Sequence, residues 1–332
     1  MIRRSVLLAK KYLSLAPAKA PKYWTEPQAL ERASVEYQDE VAGGFLKWFP
    51  ELVLEGKDVF DIGCGYGGRP VRYCELGAAS VAGIEISTQA VREAGEFAES
   101  KGIRNATFVV AEGENLPFPA RSFDAITSYD VFEHVNDLER TLHECMRVLR
   151  PQGRLYAVFP PFYHPTGAHL DAWLSKMPWA NVFFRCETLI EAAYQLLEER
   201  GDSYRPHPLR STDKLWALNG ATVASVRGIL SQDEFLQHDL RLAPLFSPLN
   251  ATKWESWKMK YYAFAFKPLR RLPGLREAFV HRIALTVTKP SSPSAPDTFS
   301  ASRAHHASQG GDVISGAERP SAGELAAMVR RR

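Results

Sequence analysis

The run Val59-Phe60-Asp61-Ile62-Gly63-Cys64-Gly65-Tyr66-Gly67-Gly68 decides how the rest of the chain is read. Apolar Val59 and Phe60 read as the end of a buried strand, and the glycines that follow force a tight turn. Helix-compatible sequence then runs from about Arg69 to Leu76, before the break at Gly77. Strand, glycine turn and helix N-terminus together make a nucleotide-binding corner. Glycine lets the backbone approach a ligand closely, and the free amides of the first helical turn attract negative charge.

Two ligands compete for this corner. Gly63, Gly65 and Gly68 satisfy the G-x-G-x-x-G spacing of a dinucleotide site, a weak signal alone. Asp61, Gly63, Gly65 and Gly67 also fit D-x-G-x-G-x-G, with an acid just before the turn. A carboxylate there repels a pyrophosphate and suits a cationic amino group, such as the one on the methionine end of S-adenosylmethionine. Ser80 to Ile86 reads as a second strand ending in Glu85, where an acid accepts hydrogen bonds from ribose hydroxyls of either ligand. Further along come Val109-Val110-Ala111-Glu112-Gly113-Glu114-Asn115-Leu116-Pro117-Phe118, then Ser122 to Thr127, then Ser128-Tyr129-Asp130-Val131-Phe132-Glu133-His134-Val135, and Met146 to Leu155 opening a fifth strand.

With these segments in this order the chain resembles the class I S-adenosylmethionine-dependent methyltransferases. It is similar in particular to the type 11 domain group that includes ubiquinone-biosynthesis O-methyltransferases. The resemblance covers about Tyr37 to Pro160 strongly, and Leu218 to Pro244 and Leu272 to Pro290 weakly. It implies that Asp61, Gly63 and Gly65 surround the methionine part and that Glu85 binds the ribose. Glu112, where the family more often has Asp, would sit near the adenine amino group, with the Gly113 backbone beside the ring. Cys64, Gly67 and Ile86 would complete the cofactor contacts, and Tyr129 and Asp130 would lie at the mouth where the methyl is presented.

Composition sets the class. The 332 residues are 45% hydrophobic and 24% charged, ordinary for a globular protein with room for a large core. A net charge of +3 is too mild to imply a nucleic-acid partner. Cys64, Cys74, Cys145 and Cys186 have no C-x-x-C spacing, so reduced thiols and a cytoplasmic setting are the default. Residues 1–26 open with MIRRSVLLAKKYLSL, a basic amphipathic segment whose apolar run is too short to span a bilayer. Such a helix is compatible with peripheral contact at the inner face of the membrane, although docking on the protein is the favoured reading.

The expected fold is α/β: a doubly wound, Rossmann-like, seven-stranded sheet, mostly parallel with an antiparallel last strand, carrying lid insertions. The S-adenosylmethionine-binding core spans 27–160, beginning with a helix over Pro27 to Phe49 that breaks at Gly43-Gly44. Strands fall near 58–62, 81–86, 106–111, 123–128 and 154–159, and helices include Thr88 to Ser100 and Leu138 to Leu149. From Pro160 the prolines stop regular structure, and 161–211 reads as a lid with one helix, Glu187 to Glu199. Residues 212–290 return to the core with the final two strands, antiparallel, at Phe235 to Leu242 and His281 to Thr288. An aromatic and basic insertion lies between them at 247–279, and the polar tail 291–332 reads as disordered.

The chemistry would be in-line displacement at the sulfonium methyl, aided by a base where the acceptor is a hydroxyl. Asp130, Glu133 and His134, spaced i, i+3 and i+4, share a face if the segment is helical. In the ubiquinone-type enzymes the matching E-x-x-E-H pattern is associated with a divalent metal, which makes these three the candidate ligands for an ion such as magnesium. Asp130 and His134 are base candidates too. So are the lid histidines His164 and His169, with His169 preferred because Asp171 is placed to orient it. Phe162, Tyr163, Trp173 and Trp179 would help select a small-molecule or lipid-linked acceptor. The alternatives are an NAD-dependent oxidoreductase, for which no nicotinamide-side catalytic pair is evident, and a catalytically inactive binding module. Nothing in the sequence speaks to oligomeric state.

Overall fold

The computed structural model describes residues 2–19, 30–171, 173–201, 218–232, 237–244 and 276–291. Most of the 247–279 insertion and nearly all of the 291–332 tail therefore lie outside the described residues. In chain order the elements are α1 (Ile2–Ser14), α2 (Glu31–Val41), β1 (Asp58–Ile62), α3 (Gly68–Glu75), β2 (Ser80–Glu85), α4 (Thr88–Ser100), β3 (Ala106–Val110), β4 (Phe123–Tyr129), α5 (Leu138–Val148) and β5 (Leu149–Phe159). There follow α6 (Ala180–Phe183), α7 (Cys186–Arg200), α8 (Val223–Gln232), β6 (Gln237–Pro244) and β7 (Val280–Thr288).

The strands form one seven-stranded sheet in the order β3-β2-β1-β4-β5-β7-β6. β1 pairs in parallel with β2 and β4, and β4 with β5. Only β7 opposes the sheet's direction, pairing antiparallel with both β5 and β6. β6 therefore runs with the first five strands, and the last strand is the antiparallel one, as expected. The order reverses between β1 and β4, the switch point at which open α/β sheets bind ligands beyond their C-terminal strand ends.

The alternation of β1 explains why it sits at the centre. Phe60 and Ile62 face a core shared with Ile84, Ile126, Leu142 and Leu155, while Val59 packs with Phe45, Trp48, Tyr73 and Val81 on the other side. Burying each large aliphatic side chain in this way stabilises by roughly 1.5–3 kcal/mol. Local signals set the helix starts: the Ser87 hydroxyl accepts from the Ala90 amide at 3.2 Å, and Asp137 accepts from Arg140 at 2.9 Å. β5 begins earlier than expected, because Leu149 pairs with Phe123 before an irregular stretch that lets Arg154 pair with Ala125.

The lid has its own core. Val6, Ala9 and Leu13 of α1 pack with Leu189, Ala193 and Leu197 of α7, and with Leu170, Trp173 and Leu174. The apolar face of α1 is thus docked on the lid. No described helix is long and apolar enough to cross a membrane.

Candidate active site

The glycine turn lies between β1 and α3, and its glycines answer first to the protein itself. Gly63, Gly65 and Gly67 have φ of 68°, 53° and 85°, a region that strains any residue with a Cβ. A Cβ on Gly63 would collide with Val131, and one on Gly65 would lie 2.5 Å from Glu36 Oε1. At Gly67 it would meet Ala94 at 2.8 Å, and at Gly68 the backbone of Ala33 and Tyr37 in α2. Cys64 is buried against Gly83, and its amide donates to the Ile84 carbonyl at 2.9 Å. It packs the turn.

Asp61 is 0% exposed at the end of β1. Its carboxylate accepts from Arg69 Nε at 3.1 Å on both oxygens and from the Thr127 hydroxyl at 2.7 Å. Arg69 also donates to the Gly63 carbonyl at 2.9 Å, so one guanidinium ties the acid to the turn. Burial pushes the Asp61 carboxyl upward against the pull of Arg69, yet the two-oxygen geometry is that of an ion pair. The carboxylate expected to face a ligand is held internally in this structure.

Glu36, on α2, is the residue the sequence reading passed over. Its carboxylate accepts from the amides of Tyr66, at 3.0 and 3.2 Å, and Gly68, at 3.3 Å. Burial lifts its pKa to about 7, against the amide hydrogen bonds and Arg69. Nothing local marks it, because its partners lie some 30 residues away.

Beyond β2 and β3 the surface is open. Glu85 Oε1 accepts from the Ile86 amide at 2.8 Å, and Ile86 itself is 73% exposed, with Val110 nearby in sequence order at the end of the paired β3 also exposed. Glu112 is exposed and Gly113 is buried against Thr141. Glu114, rather than Glu112, is the structural acid here, accepting from the Asn136 and Asp137 amides.

At the end of β4, the segment 130–134 is a turn and not a helix. Asp130 takes φ of 57°, which breaks the i, i+3, i+4 face on which its pairing with Glu133 and His134 depended. Its Oδ2 instead accepts from Arg282 of β7 at 3.2 Å. Tyr129 packs edge-on to Phe45, with the Arg69 guanidinium 5.8 Å from its ring.

The lid supplies the third ligating group. Donor atoms of Glu133, His134 and His169 all lie within 4.8 Å of one another. The His169 ring meets His134 edge-on at 5.1 Å, so His134 rather than Asp171 is its ring partner. Glu133 is 3% exposed and neither of its carboxylate oxygens has a hydrogen-bond partner. Burial and the nearby Asp130 carboxylate push Glu133 well above the usual carboxylate range, while burial drives His169 down to about 3. Glu133 and His169 line a small pocket, open to solvent and with room for little more than a water molecule, with Phe162, Leu218 and Ala221. An orphaned carboxylate beside two imidazoles fits a cation, and the fitting set contains His169 in place of Asp130.

Asn219 clasps this turn, donating to the carbonyls of Phe132 at 2.7 Å and Val135 at 2.9 Å. His164 and His281 of β7 share a hydrogen bond of 2.8 Å that pins the lid to the sheet. Trp173 is buried in the lid core and Trp179 donates to the Ala278 carbonyl at 2.8 Å, so both are structural; Tyr163 remains exposed.

Part of the chain is similar to known proteins. The chain is 33% identical over 157 residues to the 27-O-demethylrifamycin SV methyltransferase of Amycolatopsis mediterranei, covering 45% of this chain and 54% of that one. It is 33% identical over 108 residues to the sterol 24-C-methyltransferase of Pneumocystis carinii, covering 32% of this chain and 28% of that one. The matches thus span about half the length of these curated relatives or less. Among solved structures, the YcgJ protein of Bacillus subtilis aligns over 78% of this chain and 100% of its own, with 17% identity and a TM-score of 0.45. Residues 60–157, which hold the glycine turn, Glu85, Glu112 and the turn bearing Glu133 and His134, match the family described as methyltransferase domain.

Proposed function

We infer that the protein transfers a methyl group from S-adenosylmethionine to a hydroxyl of a small-molecule or lipid-linked acceptor. The observation that carries the donor is a pair of open acids, Glu85 at the end of β2 and Glu112 just past β3, with the exposed Ile86 and Val110 beside them. A purine and its ribose suit that surface: the aliphatic side chains offer the ring apolar contact and Glu85 accepts from ribose hydroxyls. Glu112 and the Gly113 backbone would meet the edge of the ring. A pyrophosphate would face the same acids unfavourably. Asp61 acts through Arg69 and Gly63, setting the turn on which the methionine end would rest.

S-adenosylmethionine supplies a methyl group on a sulfonium, so alignment accounts for most of the catalysis. A base works best with a pKa near the working pH. Burial raises the Glu133 carboxyl and holds His169 down to about 3, so Glu133 is the more basic of the two groups facing the pocket. Glu133 would take the acceptor proton, with His169 and His134 orienting the hydroxyl and Asp130 held at the mouth by Arg282. A divalent cation would find its donors in Glu133, His134 and His169, and two imidazoles favour zinc or another first-row ion over magnesium. The pocket is far smaller than a typical ligand site, so an acceptor would have to move the lid to enter.

One relative is named for a 27-O-demethyl compound and the other for carbon 24 of a sterol. The choice of oxygen therefore rests on Glu133. Leu7 and Leu8 stay exposed on α1 beside Arg4 and Lys11, an outer face suited to an anionic bilayer and hence to a lipid-linked acceptor. Calorimetric titration with S-adenosylmethionine and with NAD tests the donor, with binding expected only for the first. Labelled-methyl transfer to lysate fractions tests the acceptor; tight NAD binding or a labelled product without an accepting oxygen overturns the corresponding half.

A further inference from the structure

The G-x-G-x-x-G spacing of Gly63, Gly65 and Gly68 would ordinarily leave a seat for phosphate oxygens at the head of the following helix. Here that seat is full. The Tyr66 and Gly68 amides both donate to Glu36, and the Gly67 amide donates to the Cys64 carbonyl at 3.0 Å. The space above Gly65 belongs to Glu36 Oε1, and the space above Gly68 to the α2 backbone. Val131 fills the space above Gly63. The three glycines are therefore small to admit the protein's own groups, and one of those groups is an anion.

We propose that Glu36 is a specificity residue: its carboxylate occupies the anion seat at the start of α3, so the corner refuses pyrophosphate-bearing nucleotides and accepts a cofactor whose reactive end is cationic. This rests on the methyl-donor reading of the same corner. Glu36 lies on an element that precedes the glycine turn in sequence, so α2 acts as a built-in plug rather than as part of the turn. Asp61 is held by Arg69, so it is Glu36 that stands at the amides where a phosphate would arrive. A phosphate would have to displace a group already making charge-assisted hydrogen bonds to two amides. Opposition between like charges in a partly dry site is what turns a weak preference into discrimination.

The test measures ADP and S-adenosylhomocysteine binding to the full chain and to Glu36→Gln and Glu36→Ala by calorimetry. ADP affinity should rise in the order wild type, Glu36→Gln, Glu36→Ala, by at least tenfold overall, since the seat first loses its charge and then its occupant. Glu36→Gln keeps the size of the side chain and covers the event that the alanine variant fails to fold. Equal ADP affinity in wild type and the folded variants overturns the proposal. Failure of the wild type to bind S-adenosylhomocysteine would instead remove the donor reading, and the ADP ranking would still decide the role of Glu36.

Discussion

The two halves of the site differ in how their polar groups are partnered. At the glycine corner the buried acids are bonded within the protein: Asp61 to Arg69 and Thr127, and Glu36 to two amides. On the lid side neither Glu133 oxygen has a hydrogen-bond partner, with His134 Nε2 3.9 Å from Oε1, and Asp130 Oδ1 has none either. Buried polar groups are normally satisfied, and an orphan costs about 1–3 kcal/mol or more when charged. The corner is built as scaffold, while the lid side holds its polar atoms open toward a cavity. The contrast separates a region that orders itself from one that waits for a substrate.

The largest effect that would break this contrast is on turnover. Glu133→Gln should lower kcat by about 10²- to 10⁴-fold if it is the base, with S-adenosylhomocysteine affinity within twofold of wild type. An unchanged kcat would return Glu133 to a structural role. Asp61→Ala should do the reverse, acting on the scaffold. It strands the buried Arg69, so denaturant unfolding should show a loss of about 3–5 kcal/mol. A loss under about 1 kcal/mol would mean that the pair is dispensable to the turn. Smaller again, Glu85→Ala should cost about 1–3 kcal/mol of cofactor binding without altering stability, because its carboxylate sits at the open edge.

The corner was legible because its signal is local: an apolar strand end, then glycines, then a helix within one short run. Even so, the physical reason for Gly65 was not readable, since Glu36 reaches it from a helix surface where a glutamate reads as solvated. The same limit explains the lid side. Asp130, Glu133 and His134 looked like one helical face, but the left-handed backbone at Asp130 redirects it to Arg282, 152 residues away. His169 reads from the sequence as a base oriented by Asp171, whereas its ring lies edge-on to His134 from another segment. Spacing reads one turn of chain; it does not read which distant segment closes over it.

The smallest effect sharpens the comparison, because one group chosen from each region should answer pH with opposite sign. His281 on β7 bonds His164 of the lid, and burial, with Arg282 and Lys47 adding to it, holds its pKa down to about 3. A histidine depressed on folding leaves the unfolded chain binding more protons below its ordinary value near 6.5, so its contribution is lost as pH falls. Glu36 is raised to about 7 from an ordinary value of 4.5, so its contribution is present at low pH and lost as pH rises toward and through 7. Between pH 5.5 and 7.0, wild type should therefore gain about 1 kcal/mol relative to His281→Gln and lose about 1.5 kcal/mol relative to Glu36→Gln. Thermal or urea unfolding of the three proteins at the two pH values measures both differences, with groups common to all three cancelling. Slopes of the same sign in the two variants would show that corner and lid do not differ in the way their hydrogen bonds imply.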